Sequence, residues 1–105
     1  MYISHETAAN LRYGHKSVDD TSQRLYDFSL PCLKGVLLRT PGAVDPVPNT
    51  VCVWVGDARV LASSNIANGG MPIPPGESLF IPIDDVSKIW VVSTVAGQDV
   101  AWMAA

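Results

Sequence analysis

Apolar and polar positions alternate along this chain in short runs, and Gly, Pro and Asp punctuate the runs at intervals of roughly ten residues. The stretch from Pro75 to Ala104 shows the pattern most clearly. Leu79, Ile81 and Ile83 fall on one face of a strand and Phe80 and Pro82 on the other. Pro82 marks that strand as an edge or a bulge, because proline donates no ladder hydrogen bond. Asp84-Asp-Val-Ser87 predicts a corner, an Asx turn or one turn of 3₁₀ helix. Ile89–Val95 reads as a central strand, with Ile89, Val91 and Val95 on one side and Trp90 and Val92 on the other. Ala96-Gly97 then makes a short hairpin turn into Gln98–Met103, whose Val100 and Trp102 share a face. Together these three strands predict a meander.

The first half has the same texture. Leu25–Leu30 alternates loosely, and Cys32–Thr40 predicts a long strand in which Gly35 marks a bulge or a close backbone approach. Two prolines make Ala43–Asn49 a stiff connection. In Thr50–Gly56, Val51, Val53 and Val55 face one way and Cys52 and Trp54 the other, so both faces are apolar. A sandwich strand normally shows polar residues outward. The second face therefore calls for a cover: an arm, a loop or another subunit. Arg59–Ala62 follows as a short strand, Ser63–Gly70 as a surface loop, and Pro75-Gly76 suits a type II turn.

Residues 1–24 differ from this. Glu6, Asp19 and Asp20 balance Arg12, Lys16 and Arg24, apolar residues are sparse, and no period persists. The segment reads as an extended N-terminal arm, either frayed or ordered on a neighbour through Tyr2, Ile3, Leu11 and Tyr13. Residues 25–105 form the folded domain. The predicted fold class is all-β: a small antiparallel β-sandwich or jelly-roll-like domain of six to eight short strands.

Composition sharpens this picture at two points. The chain is 48% hydrophobic and only 16% charged, against roughly 25% charged in an average soluble domain. A chain of this size with so few charges is expected to hide apolar surface against another chain. The net charge of −3, with basic residues scattered singly, argues against nucleic acid as a partner. The N-terminus lacks a basic and apolar leader, and Ile89–Gly97 is too short for a membrane helix, so synthesis in the cytoplasm is expected.

The chemistry-bearing residues are few. His5 and His15 both lie in the arm, which leaves the strands without the inward histidines of a cupin-type metal site. Asp84 and Asp85 are adjacent, so their side chains are expected to diverge and serve the corner. Cys32 and Cys52 read as reduced buried thiols, with a cross-strand disulfide as the other option. Trp54, Trp90 and Trp102 each sit inside an apolar run, which favours core or subunit packing over a carbohydrate-stacking platform. No catalytic residue, cofactor site or metal site is predicted.

Four segments read together carry a resemblance: Leu30-Pro-Cys-Leu-Lys-Gly-Val-Leu-Leu-Arg-Thr40, Asn49-Thr-Val-Cys-Val-Trp-Val-Gly56, Gly69 through the Pro75-Gly-Glu-Ser turn to Val91, and Gly97-Gln-Asp-Val-Ala-Trp-Met103. They resemble small virion proteins of tailed bacteriophages, over about residues 30–104. The likeness implies a structural, non-enzymatic role, with a capsid decoration (cement) protein as the leading expectation and a head–tail junction or tail completion protein as the alternative. It implies a homotrimer on the capsid surface. Residues 1–24 lie outside the likeness; on physical grounds the arm is expected to reach the major capsid protein, and Trp54 and Trp90 to pack the core or subunit interface.

Overall fold

The computed structural model describes residues 11–63 and 67–105. It is all-β, with eight strands in two four-stranded antiparallel sheets. In chain order these are β1 (Arg12–Val18), β2 (Gln23–Arg24), β3 (Val36–Arg39), β4 (Val53–Gly56), β5 (Met71–Ile73), β6 (Ser78–Ile81), β7 (Trp90–Val92) and β8 (Gln98–Ala104). One 3₁₀ turn, Val86–Lys88, stands between β6 and β7. The first sheet has the order β1-β8-β3-β6 and the second β2-β7-β4-β5.

Consecutive strands cross from one sheet to the other at every step except β4 to β5. The pairs β1·β8, β2·β7, β3·β6 and β4·β5 make one doubled ribbon closed at β4–β5. Winding that ribbon brings β3 against β8 and β4 against β7. The C-terminal meander expected from sequence is therefore absent. β6, β7 and β8 lie in alternate sheets, and Gly97 (φ +83°) turns a crossing between sheets rather than a hairpin. Local turn chemistry fixes where the chain bends but leaves open which sheet the next strand joins.

The arm is corrected as well. Residues 12–18 pair along their whole length with β8, and residues 23–24 pair with β7. What was expected as an arm is, from residue 12 onward, sandwich. Tyr2 and Ile3 lie outside the described residues.

The core fills the space between the sheets by strict alternation. Val36 and Leu38 enter from β3, Val100, Trp102 and Ala104 from β8, Val53 and Val55 from β4, Ile73 from β5 and Val91 from β7. Leu25, Val86 and Ile89 close one end from the connections. At the other end, buried amides do the work of missing strand pairs. Asn49 Nδ2 donates to the Asp99 carbonyl at 2.7 Å, and Asp99 N–H donates back to Asn49 Oδ1 at 2.8 Å. Gln98 Oε1 accepts from the N–H groups of Thr50 and Val51. These bonds tie the connection before β4 to the start of β8, across the two sheets. Gly35 (φ +141°) is the close approach anticipated from sequence: a Cβ there would overlap the Ile81 carbonyl oxygen.

Candidate functional site

The polar groups that sequence made candidates are occupied locally. Asp85 accepts from Ser29 Oγ at 2.5 Å, from Leu30 N–H at 2.9 Å, and from the N–H and hydroxyl of Ser87 at 2.9 and 2.7 Å. The Ser29 hydroxyl foremost, then Leu30 and Ser87, holds its carboxyl far below the usual carboxylate range. It caps the 3₁₀ turn and latches residues 29–30 to it. Asp84 instead meets Lys88 Nζ at 2.8 Å, which lowers its pKa. The two carboxylates thus diverge into separate tasks. Cys32 and Cys52 are free thiols. Partial burial first, then the charges of Asp85 and Asp84, push the Cys32 thiol up, while its Sγ donates to the Ile83 carbonyl at 3.1 Å. Among the described residues, no group of three or more His, Cys, Asp and Glu side chains is placed to hold a metal ion.

Two of the concavities are shallow and apolar, while a third of about 230 Å³ is lined by Asp57, Arg59, Asn68 and the backbone of Gly69 and Gly70. One of about 350 Å³ lies between Arg12, Leu30, Cys32, Leu33 and Ala105. Another of about 400 Å³ runs along the edge where β5 and β6 face each other, lined by Met71, Leu79, Phe80, Ile81, Ile83 and Lys88. Neither gathers the convergent polar groups that orient a small ligand.

The outer faces of the two sheets differ sharply. In the β2-β7-β4-β5 sheet, Trp54, Gly56, Trp90 and Val92 point away from the core, as the alternation of β4 predicts. A loop covers part of this face. Val60, itself buried, sits so close over Gly56 and Gly70 that a Cβ on either glycine would collide with it. The Arg24 guanidinium lies 5.6 Å from the Trp90 ring centroid, a cation–π contact. Val92 is only 4% exposed. Trp54 and Trp90 are half-buried there, on neighbouring strands. Trp102 is in the core against Tyr26, with ring centroids 5.6 Å apart, so the three indoles do not form one platform.

The outer face of the β1-β8-β3-β6 sheet carries an uncovered apolar row. Tyr13 stands opposite Met103, Met103 opposite Leu37, and Leu37 opposite Phe80. One row thus crosses all four strands, and its members are 76, 47, 43 and 53% exposed in that order. The adjoining row, His15, Ala101, Arg39 and Ser78, is polar apart from Ala101. Arg39 in it is met by Asp45 at 3.1 Å. A depression of about 200 Å³ lies between the two rows, bounded by Leu37, Arg39, Ala101, Trp102 and Met103.

Of the residues singled out from sequence as interface anchors, Tyr13 alone belongs to this row. Leu11 is exposed beside the start of β1, and Trp54 and Trp90 lie on the other sheet. Sequence reasoning missed Leu37, Phe80 and Met103. The signal was present: Val36-Leu-Leu38, Leu79-Phe-Ile81 and Trp102-Met-Ala104 are unbroken apolar runs where a half-buried strand would alternate. No family model, curated protein or solved structure matches this chain.

Proposed function

We propose that this chain is a structural protein of a tailed-phage virion, a capsid decoration protein that works through surfaces and performs no chemistry. The observation that carries the reading is the winding of the doubled ribbon, with sheet orders β1-β8-β3-β6 and β2-β7-β4-β5. We read this order as a jelly roll, an architecture that viral capsid domains share with lectins and cupins. Fold alone does not choose among those. Three features favour the virion: the turn-and-strand motifs of residues 30–104, two shallow apolar concavities, and an exposed apolar row on a chain of low charge. The partners proposed are the chain itself and the major capsid protein. Residues 1–10, with Tyr2 and Ile3, are proposed as part of the capsid contact; from residue 12 the chain is a strand of the sheet.

The test is co-sedimentation of the purified protein with phage heads that lack it, with and without residues 1–10. Saturable binding to the shell, lost or weakened on truncation, is expected. Absence of binding to any head overturns the assignment. Attachment at the portal vertex alone moves the protein to the head–tail junction.

A further inference from the structure

We propose that the apolar row Tyr13–Met103–Leu37–Phe80 is a docking face for a second copy of this chain, packed sheet to sheet about a two-fold axis parallel to the strands. This contact deepens, and rests on, the reading of the chain as an assembly protein.

The row reads the same from either end in chemical kind: aromatic, aliphatic, aliphatic, aromatic. A two-fold axis parallel to the strands, midway between β8 and β3, sets Tyr13 of each copy against Phe80 of the other. It sets Met103 against Leu37 in the middle. An isologous contact needs this self-complementarity, because each residue meets the image of its mirror position. Aromatic pairs at both ends are favourable beyond the area they bury. The unbranched Met103 is suited to enter the depression of about 200 Å³ beside the partner's Leu37.

Charge points the same way. A face carrying net charge of either sign would repel its own copy and attract an opposite one. Here the row is uncharged, and the arginine next to it is already met by Asp45. The opposite sheet is partly covered, with Val60 over Gly56 and Gly70 and Arg24 beside Trp90, and its outward indoles are half-buried.

Area sets the strength. Four strands at about 4.8 Å spacing and two alternate rows at about 6.8 Å give on the order of 260 Å² of face per copy. A pair therefore hides on the order of 500 Å², well below the standard stable interface and at the small end of weak, reversible ones. The predicted pair is concentration-dependent, with a dissociation constant of roughly micromolar to millimolar order. The proposed pair differs from the homotrimer that the phage resemblance implies.

Sedimentation velocity of the full chain from about 10 µM to 1 mM tests this, the span matching the weak affinity expected. A monomer–dimer equilibrium is expected. The double variant Leu37→Glu, Phe80→Glu places charges on outward positions and should weaken dimerisation at least about tenfold. Its thermal midpoint and near-ultraviolet circular dichroism report whether the fold is kept. Independently of any variant, dilution of the wild-type protein should shift the NMR signals of Tyr13, Leu37, Phe80 and Met103 and leave those of Trp54 and Trp90 in place. A monomer at every concentration, or a dimer that the folded double variant preserves, overturns the proposal. A monomer that still decorates phage heads overturns this proposal alone, whereas a dimer that binds no head overturns only the virion assignment.

Discussion

Gly14 lies directly over the indole of Trp102. A Cβ built on Gly14 would stand 3.1 Å from Trp102 Cζ2 and 3.2 Å from Cε2, tighter than ordinary van der Waals contact. The two residues are register partners on β1 and β8, and Tyr26 packs edge-on against the same ring. This contact explains an edge strand with almost no apolar alternation. Of the inward positions 14, 16 and 18, only Val18 is an apolar core residue, because the indole fills the space that a side chain at position 14 would take. Gly14→Val should overpack the site and cost about 1–3 kcal/mol. Chemical denaturation monitored by tryptophan fluorescence checks this, with a red-shifted native emission accompanying the loss.

Gly35 is under a stronger constraint. Its backbone has φ +141°, and the Ile81 carbonyl occupies the place of a Cβ. Gly35→Ala should destabilise the fold by about 2 kcal/mol or more, strain and overlap acting together. Gly97, also at positive φ but with open space around it, should tolerate alanine better. Comparing the two variants by thermal unfolding separates backbone strain from collision.

The buried amides at the far end of the sandwich predict a different loss. Gln98→Ala removes the acceptor of the Thr50 and Val51 N–H groups, and Asn49→Ala removes both bonds to Asp99. Each should cost about 1–3 kcal/mol, since the partner groups lose their acceptor or donor away from water. Amide hydrogen exchange should accelerate at Thr50 and Val51 in the first variant and at Asp99 in the second.

Acid should act through Asp85. Its folded-state pKa lies below the ordinary carboxylate value, so the unfolded chain takes up a proton first as pH falls. The contribution is complete above the unfolded value of about 3.9, and is lost as pH falls below it toward the folded one. Asp45, Asp57 and Asp84 are shifted the same way. The thermal midpoint should therefore drop below about pH 4. Asp85→Asn should lower the midpoint at neutral pH and flatten that drop, and Asp84→Asn should change the neutral-pH midpoint less, having a single surface partner.

Much of the fold was legible in the chain. Alternation grouped Val53 with Val55 and Val100 with Trp102, the residues that the structure places in the core, and Asp84–Ser87 and Pro75-Gly76 named two bends. The positive φ of Gly76 agrees with a type II turn. Winding was not legible, because pairing of β1 with β8 joins the two ends of the domain and no local pattern encodes that partner. β1 was read as an arm because backbone bonds to β8, rather than apolar side chains, hold most of it. The cross-strand row escaped notice for the same reason: Tyr13, Leu37, Phe80 and Met103 are far apart in sequence and become neighbours only through register.

Electron cryo-microscopy of tailed-phage heads incubated with the purified protein is the most direct test. The account predicts many copies on the outside of the head, each a flattened body with its β1-β8-β3-β6 face turned to that of a second copy. Heads bare of the chain, or copies whose Tyr13–Met103–Leu37–Phe80 row faces open solvent, would contradict it.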